Sequence, residues 1–122
     1  MGLNEGINEL WTLACSASGT KYDSTNARVG VGNGTTPADA SQGGLQGAST
    51  AFAAMDGGYP TYGTSQQAVF QGTFGDAAAN FAWEEFTVDN GATANKNLLR
   101  KVQNKGTKNG GTWVLRITAT IS

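Results

Sequence analysis

The sequence predicts an all-β fold, namely an antiparallel β-sandwich of about six strands with long loops and a short N-terminal helix. Residues Trp113 to Ile121 carry the cleanest alternation of apolar and polar side chains, which is typical of a half-buried strand. Only 14% of the residues are charged and 18 are glycine, a composition that suits short strands and tight turns. Four of the five phenylalanines lie between Gln67 and Gly91, so we expect the core to form around that stretch. The chain fits one domain, spanning residues 1–122.

Residues 3 to 15 carry the one convincing helical pattern of the chain. Apolar residues recur there at the spacing of a single helix face; they are Leu3, Ile7, Leu10, Trp11 and Ala14. Asparagines and glutamates occupy the other face, and the acids lie near the N-terminus, where the helix dipole favours them. A helix this short is marginal in isolation. We therefore expect its apolar face to pack either on the protein's own sheet or on a partner subunit.

The first half of the chain after the helix predicts few strands and long loops. Ala27 to Val31 alternates and predicts a short strand, which ends at the Gly32–Gly34 turn. Residues 35–44 form a polar loop. Leu45 to Met55 fits either two helical turns or an extended segment, and Tyr62 to Ser65 predicts a turn.

The second half predicts a sheet built from the aromatic stretch. Gln67 to Phe74 and Phe81 to Val88 predict two strands that face each other across the loop Gly75–Asn80. The second of these is apolar on both faces, which is typical of a strand buried between two layers or at an interface. Leu98 to Val102 predicts a further strand before the final one.

Composition excludes several classes of function. The net charge is −1, so binding of nucleic acid through a basic face is not expected. There is no histidine and a single cysteine, Cys15, which removes histidine-based catalysis, an intrachain disulfide and most zinc sites. No apolar run approaches the ~20 residues of a membrane span, and the residues after Met1 do not form a signal peptide pattern. We expect no cofactor, no metal and no membrane partner, and synthesis in the cytoplasm.

The basic residues nearest to a cluster predict a solvated loop edge rather than a binding patch. They are Lys96, Arg100, Lys101, Lys105 and Lys108.

The carboxylates do not predict an active site. Glu84 and Glu85 are adjacent, and adjacent residues on a strand point to opposite faces, so the pair cannot flank one glycosidic bond. We expect one glutamate to be solvated and the other to pair with Arg100 or Arg116. The glycines of residues 30–34 lack the lysine and hydroxyl residue of a phosphate-binding loop, which favours a turn. No catalytic residue is predicted, and we do not expect an enzyme.

Aromatic side chains offer an alternative that the sequence leaves open. Trp11, Tyr59, Tyr62 and Trp83 could stack against a carbohydrate. The favoured interpretation places Trp83 in the core and Trp11 at the helix contact, with the tyrosines bracing a long loop. The predicted partner contacts are therefore the helix face and the loop tyrosines, namely Leu3, Ile7, Leu10, Trp11, Tyr59 and Tyr62. The loops at residues 35–44 and 56–66 are further candidates.

Two segments together resemble a known family. They are ARVGVGNGTTPADASQGGLQG at residues 27–47 and TFGDAAANFAWEEFTVDNGATANKNLLRK at residues 73–101. In order, they are similar to small virion structural proteins of tailed bacteriophages. There, a strand ending in V-G-x-G precedes a Pro/Ala/Thr/Ser stretch and a leucine, and an Ala-Asn-Phe-x-x-x-E strand leads to Asp-x-Gly. Capsid decoration (cement) proteins and tail-collar fibre heads share this layout.

The resemblance implies a capsid decoration protein that binds the outer surface of the phage head and stabilises it. Its partners would be the major capsid protein and further copies of itself, for which a trimer is one arrangement, and it would be found in the virion after assembly in the host cytoplasm. The alternative is a tail-associated fibre, receptor-binding or adaptor module that touches a host glycan through Tyr59 and Tyr62. Two departures from the fibre pattern favour decoration: EEFTVDNG replaces an Ile-Gly-Leu run, and no fibre continuation follows Ser122.

Overall fold

The computed structural model describes residues 1–121 and confirms the predicted all-β class. One helix, α1 (Asn4–Cys15), precedes seven strands: β1 (Arg28–Gly32), β2 (Thr50–Ala54), β3 (Thr61–Thr64), β4 (Gln67–Phe74), β5 (Glu85–Asp89), β6 (Leu99–Val102) and β7 (Trp113–Thr120). The strands form a four-stranded sheet in the order β2-β1-β5-β6 and a three-stranded sheet in the order β3-β4-β7. All strand pairs are antiparallel. Within residues 1–121, no helix has the length and apolar character that crossing a membrane requires.

The core lies between the two sheets and is centred on Trp83, which is 3% exposed. The Trp83 ring meets Phe74, Phe86 and Trp113 edge to face, with centroid distances of 5.2, 6.1 and 5.0 Å. Its indole N–H donates to the carbonyl oxygen of Ala79 at 2.9 Å. Since these rings belong to both sheets, the aromatic cluster joins the two layers.

The predicted pairing of the two aromatic strands is wrong. β4 pairs with β3 and β7, whereas β5 pairs with β1 and β6, so the segment between them crosses from one sheet to the other. Phe74 and Trp83 meet across the core and not along a ladder. The strand also begins later than predicted, at Glu85. All five residues of β5 are buried, but the strand is not apolar on both faces as predicted, because polar Glu85, Thr87 and Asp89 alternate with Phe86 and Val88.

Three further segments predicted from the sequence differ from the structure in their bounds or in their type. The strand predicted at Ala27–Val31 is present one residue later, and the ambiguous segment Leu45–Met55 is extended and contains β2. The residues predicted to form a turn at 62–65 largely form β3 instead. All four side chains of β3 are exposed, so the strand depends on backbone pairing with β4 and leaves no apolar pattern in the sequence.

The helix docks through the side that carries Glu5, Gly6 and Glu9, which adjoins its predicted apolar face. Gly6 is its buried residue, and a Cβ built there would clash with the Cα of Leu98. The Glu5 carboxylate accepts the N–H of Asn97 at 2.5 Å. Glu9 accepts the N–H of Thr20 at 3.1 Å and the side-chain amide of Asn90 at 3.0 Å. The polar side therefore holds α1 to the domain.

Residues Met1 to Leu3 run along the outer edge of β6. The N–H of Arg100 donates to the carbonyl oxygen of Met1 at 2.9 Å, and the N–H of Leu3 donates to the carbonyl oxygen of Leu98 at 3.0 Å. Gly2 forms an antiparallel bridge with Leu99. This segment covers the edge of the four-stranded sheet and buries Leu3 completely.

Replacing Gly6 by alanine is expected to lower the free energy of unfolding by about 1–2 kcal/mol net, because the new methyl group meets backbone atoms that cannot move cheaply, which costs up to about 3 kcal/mol. The penalty outweighs the gain in helix propensity, which is about 1 kcal/mol. Urea unfolding measures the difference. Gly75→Ala is the matched control, because a Cβ there meets nothing within 4 Å. A Gly6→Ala variant as stable as this control would contradict the described docking of α1.

Candidate functional site

An open groove separates the two sheets along one side of the sandwich. It lies between the β6 edge of one sheet and the β7 edge of the other and has a volume of about 680 Å³. Phe86 lines it from the core. The other apolar lining residues come from α1 and from both edges; they include Ile7, Leu10, Leu98, Leu99, Leu115 and Ile117.

The two strands that border the groove differ in length. β7 has eight residues and β6 has four. The side chains of β7 that were predicted to face inward, from Trp113 to Ala119, do so but remain only half-buried. Ile121, also predicted to face inward, is 69% exposed. An apolar strand face of the sandwich is therefore left partly uncovered.

The apolar side of α1 continues this uncovered surface. Ile7 and Leu10 line the groove, and Trp11 lies on the same side of the helix, four residues after Ile7. Ile7 is 42% and Trp11 64% exposed. We call the surface formed by these three side chains with Leu115 and Ile117 the groove face. Contiguous apolar surface of this kind marks sites of interaction with other molecules.

The predicted contact residues fall into separate places. Leu3 is completely buried, so its side chain cannot contact a partner, and that part of the prediction is wrong. Ile7, Leu10 and Trp11 lie together on the groove face. Sequence reasoning missed Leu115 and Ile117 there, because the alternation of β7 predicts an inward side but not whether another strand covers it.

The two tyrosines lie away from the groove face. Tyr62 is on β3, the edge strand opposite β7, and is 81% exposed. Tyr59 is half-buried, and its hydroxyl accepts a hydrogen bond from the Arg116 guanidinium at 3.0 Å. The guanidinium also lies 5.8 Å from the Tyr59 ring centroid. Tyr59 therefore braces its loop, while Tyr62 is free to contact another molecule.

A buried ion pair, Glu85–Arg100, holds the loop at residues 33–47 on the outer face of the four-stranded sheet. Both side chains are fully buried, and Arg100 Nη2 lies 2.9 Å from Glu85 Oε1. Glu85 also accepts the backbone N–H groups of Gly34, Gln46 and Gly47 at 2.9, 2.7 and 2.7 Å. The loop is thereby bound to β5 through one carboxylate.

Arg100 reaches the same loop from β6. Its Nη1 donates to the carbonyl oxygen of Thr36 at 2.8 Å and to the side-chain oxygen of Gln42 at 3.1 Å. The glycines of the loop are needed for this approach, since a Cβ at Gly34 would lie 2.5 Å from Glu85 Oε2. The glycine-rich motif that the sequence shows therefore has a packing role.

The surroundings of Glu85 shift the pKa of its carboxyl. Burial by itself raises that pKa, but the N–H donors of Gln46 and Gly47, the Arg100 guanidinium and the N–H of Gly34 together lower it below the ordinary value of 4.5. The expected pairing of one adjacent glutamate with Arg100 is confirmed. Glu84 is half-buried and forms no ion pair with any residue of 1–121.

The predicted solvated edge of basic residues is wrong for two of its members, Arg100 and Lys108, which are buried. The Lys108 ammonium donates to the carbonyl oxygen of Gly75 at 2.7 Å and to the side-chain oxygen of Asn80 at 2.9 Å. It thereby holds the crossing segment between the sheets. Lys96, Lys101 and Lys105 are exposed. Nowhere in residues 1–121 do three or more candidate metal ligands cluster.

Replacing Glu85 by glutamine is expected to destabilise the fold by about 3 kcal/mol, because it leaves the buried Arg100 charge without its counter-ion. The glutamine NH2 group would also face the backbone N–H groups that donate to the Glu85 carboxylate, so at least one of them would lose its acceptor. Glu84→Gln is the matched control and should change stability by less than about 0.5 kcal/mol. Chemical denaturation of both variants measures the difference. Equal stability would show that the ion pair does not hold the loop.

The lowered pKa of Glu85 predicts a dependence of stability on pH. The charged carboxylate stabilises the fold fully above its unfolded-state pKa of 4.5, and this contribution is lost as the pH falls through the lower folded-state value. The free energy of unfolding should therefore fall more steeply with acidification below pH 4.5 in the wild type than in Glu85→Gln. Denaturation at a series of pH values tests this. Parallel curves for the two proteins would contradict it.

Comparison of the chain with known protein families, with characterised proteins and with solved structures finds no match. The function is therefore argued from the groove face, from the buried ion pair and from the resemblance carried by residues 27–47 and 73–101.

Proposed function

We propose that the protein is a structural component of a tailed-bacteriophage virion, a capsid decoration protein that binds the outside of the head through its groove face. The observation that carries this proposal is the orientation of α1. The helix binds its own domain through Gly6, Glu5 and Glu9 and leaves Ile7 and Trp11 exposed. Because the polar side of α1 contacts its own domain, the apolar side of the helix remains exposed and can contact a partner.

The physical basis of such a role is binding to the assembled state. A protein that binds the closed capsid lattice but not its dissociated subunits stabilises the lattice by mass action. Burial of the groove face would contribute roughly 25 cal/mol for each Å² of apolar surface removed from water. The buried ion pair and the aromatic cluster hold the sandwich in one conformation, so the protein loses little conformational entropy on binding.

The resemblance supports the virion assignment through parts that lie together in the fold. Residues 27–47 supply β1 and the loop bound by Glu85, while residues 73–101 supply Glu85, Arg100 and Trp83. The two resembling segments therefore pack against each other and form the scaffold. The groove face draws instead on α1 and β7, which lie outside both segments.

A second candidate function is a tail-associated module that binds a receptor. The observation that favours it is the β3–β4 hairpin, in which all residues from Thr61 to Gln67 are exposed and Tyr62 presents 81% of its surface. An exposed tyrosine on a projecting hairpin is suited to stacking on a sugar ring.

Binding to phage heads distinguishes the two candidates. Heads prepared from a mutant phage that lacks the protein should bind the wild-type protein and the Tyr62→Glu variant equally, and should bind Trp11→Glu at least about tenfold more weakly, since a charge then replaces an apolar contact. Both residues are exposed, so both variants should fold, which circular dichroism checks.

The outcome against decoration is equally specific. Failure of wild-type protein to bind such heads, together with loss of host-cell binding in Tyr62→Glu, would replace decoration by the tail-associated function. Counting copies per virion on a stained gel provides an independent measurement. A head protein is present in numbers comparable to the capsid subunits, whereas a tail protein is present in few copies.

A further inference from the structure

We infer that β7 binds an extended segment of a partner protein as an additional strand, and that this segment is apolar towards the groove and carries carboxylates that reach Lys101 and Lys105. The inference rests on the proposed function in taking the partner to be a protein. It goes further in naming the conformation and charge of the segment that binds.

The backbone of β7 is open along its outer edge. Within the described residues β7 has β4 as its one neighbour, with eight consecutive paired residues and no irregularity. The N–H of Ile121 donates to the carbonyl oxygen of Gln66, and the direction of hydrogen bonding alternates along an antiparallel strand. The N–H and C=O groups of Val114, Arg116, Thr118 and Thr120 therefore point away from β4, where a further strand would bond to them.

This edge lacks the protection that exposed edges normally have. Natural edge strands are blocked by proline, bulges, charges or a covering segment. β7 contains no proline. Its one charged residue, Arg116, donates to Gln71 and Tyr59. By contrast, Met1 to Leu3 cover the facing edge of β6. An unprotected edge of eight residues beside an apolar groove suits strand addition by a partner.

The groove also specifies the charge of its occupant. Lys101 and Lys105 line the groove and are exposed, and no aspartate or glutamate lines it. The ion pairs within residues 1–121 join Arg28 to Asp89 and Arg100 to Glu85, so neither lysine pairs with a carboxylate of that range. Complementary charge favours a segment that brings carboxylates to this end of the groove.

A second copy of the chain fits this edge less well. Two β7 edges related by a two-fold axis would form an isologous interface, in which each groove meets the other groove. The lysines of both copies would then lie along one interface that has no lining carboxylate. Like charges brought together in this way oppose association, so the charges favour a different, acidic partner.

A synthetic peptide tests the inference without any capsid. The probe is an N-acetylated decapeptide with six alternating valines and threonines flanked by two glutamates at each end. One glutamate of each pair then faces the groove in either strand direction. On titration into ¹⁵N-labelled protein, the amide signals of Val114, Arg116, Thr118 and Thr120 should shift, and their hydrogen exchange should slow.

Two matched controls define the charge and backbone requirements. The same peptide with lysines in place of the glutamates should bind at least about tenfold more weakly, and a Lys101→Glu, Lys105→Glu variant should reverse that order. Thr118→Pro removes one outward N–H of β7, which an edge position tolerates, and should weaken binding of the glutamate peptide. If this variant does not fold, the charge-reversal pair still decides.

Three results would overturn the inference: no shift of the β7 amides at millimolar peptide, equal binding of the two peptides, or a protein dimer in sedimentation that Lys101→Glu, Lys105→Glu leaves unchanged and that protects the β7 edge. The proposed function fails separately. If the protein binds the glutamate peptide but not phage heads, the proposed decoration function is wrong and the inference of strand addition stands. If phage heads bind the wild type and the charge-reversal variant equally and the peptide does not bind, the inference of strand addition is wrong and the decoration function stands.

Discussion

The buried pair of Glu85 and Arg100 is the interaction on which the architecture of the four-stranded sheet depends. Taking two charges out of water costs several kcal/mol per ion, so the pair needs surrounding hydrogen bonds to offset that cost; within residues 1–121, Arg100 Nη2 forms the ion pair but no hydrogen bond. Three backbone N–H groups of the loop at residues 33–47 meet that need, and Arg100 adds bonds to the same loop. The loop is therefore not a loose connection but a cover for the outer face of β5 and β6, and the glycine at position 34 is a requirement of that contact.

The loop covers the outer face of this sheet, and the groove face lies beside it, at the open side of the sandwich. The helix uses its glutamates and Gly6 to bind the domain, which leaves its apolar residues beside the groove. The inward side of β7 is only half-buried and lines the same groove, so it joins this surface. Two separate features, the docking of α1 through Glu5, Gly6 and Glu9 and the half-buried inward side of β7, thus place apolar side chains together at the groove face.

Much of this fold follows from the periodicity of apolar residues in the sequence. The wrong predictions concern contacts with neighbouring elements, which that periodicity does not report. Alternation correctly predicted β4 and β7 and placed β1 within one residue, because it reports which side of a strand is buried. It does not report which strand lies alongside, so β4 and β5 were paired wrongly. It also carries no signal for β3, whose side chains are all exposed. Burial of Lys108 depends on carbonyl groups contributed by a distant loop, and the docking side of α1 depends on the absence of a side chain at Gly6, neither of which a pattern of apolar residues contains.

The central proposal is that the protein binds a phage head through its groove face. Hydrogen–deuterium exchange of the protein, free and bound to heads, tests it most directly because it locates the contact without any substitution. The account predicts that binding slows exchange in α1 and along the outward amides of β7, while β3 and the loop held by Glu85 keep the rates of the free protein. Protection confined to β3 and the hairpin around Tyr62, with α1 and β7 unchanged, would contradict it.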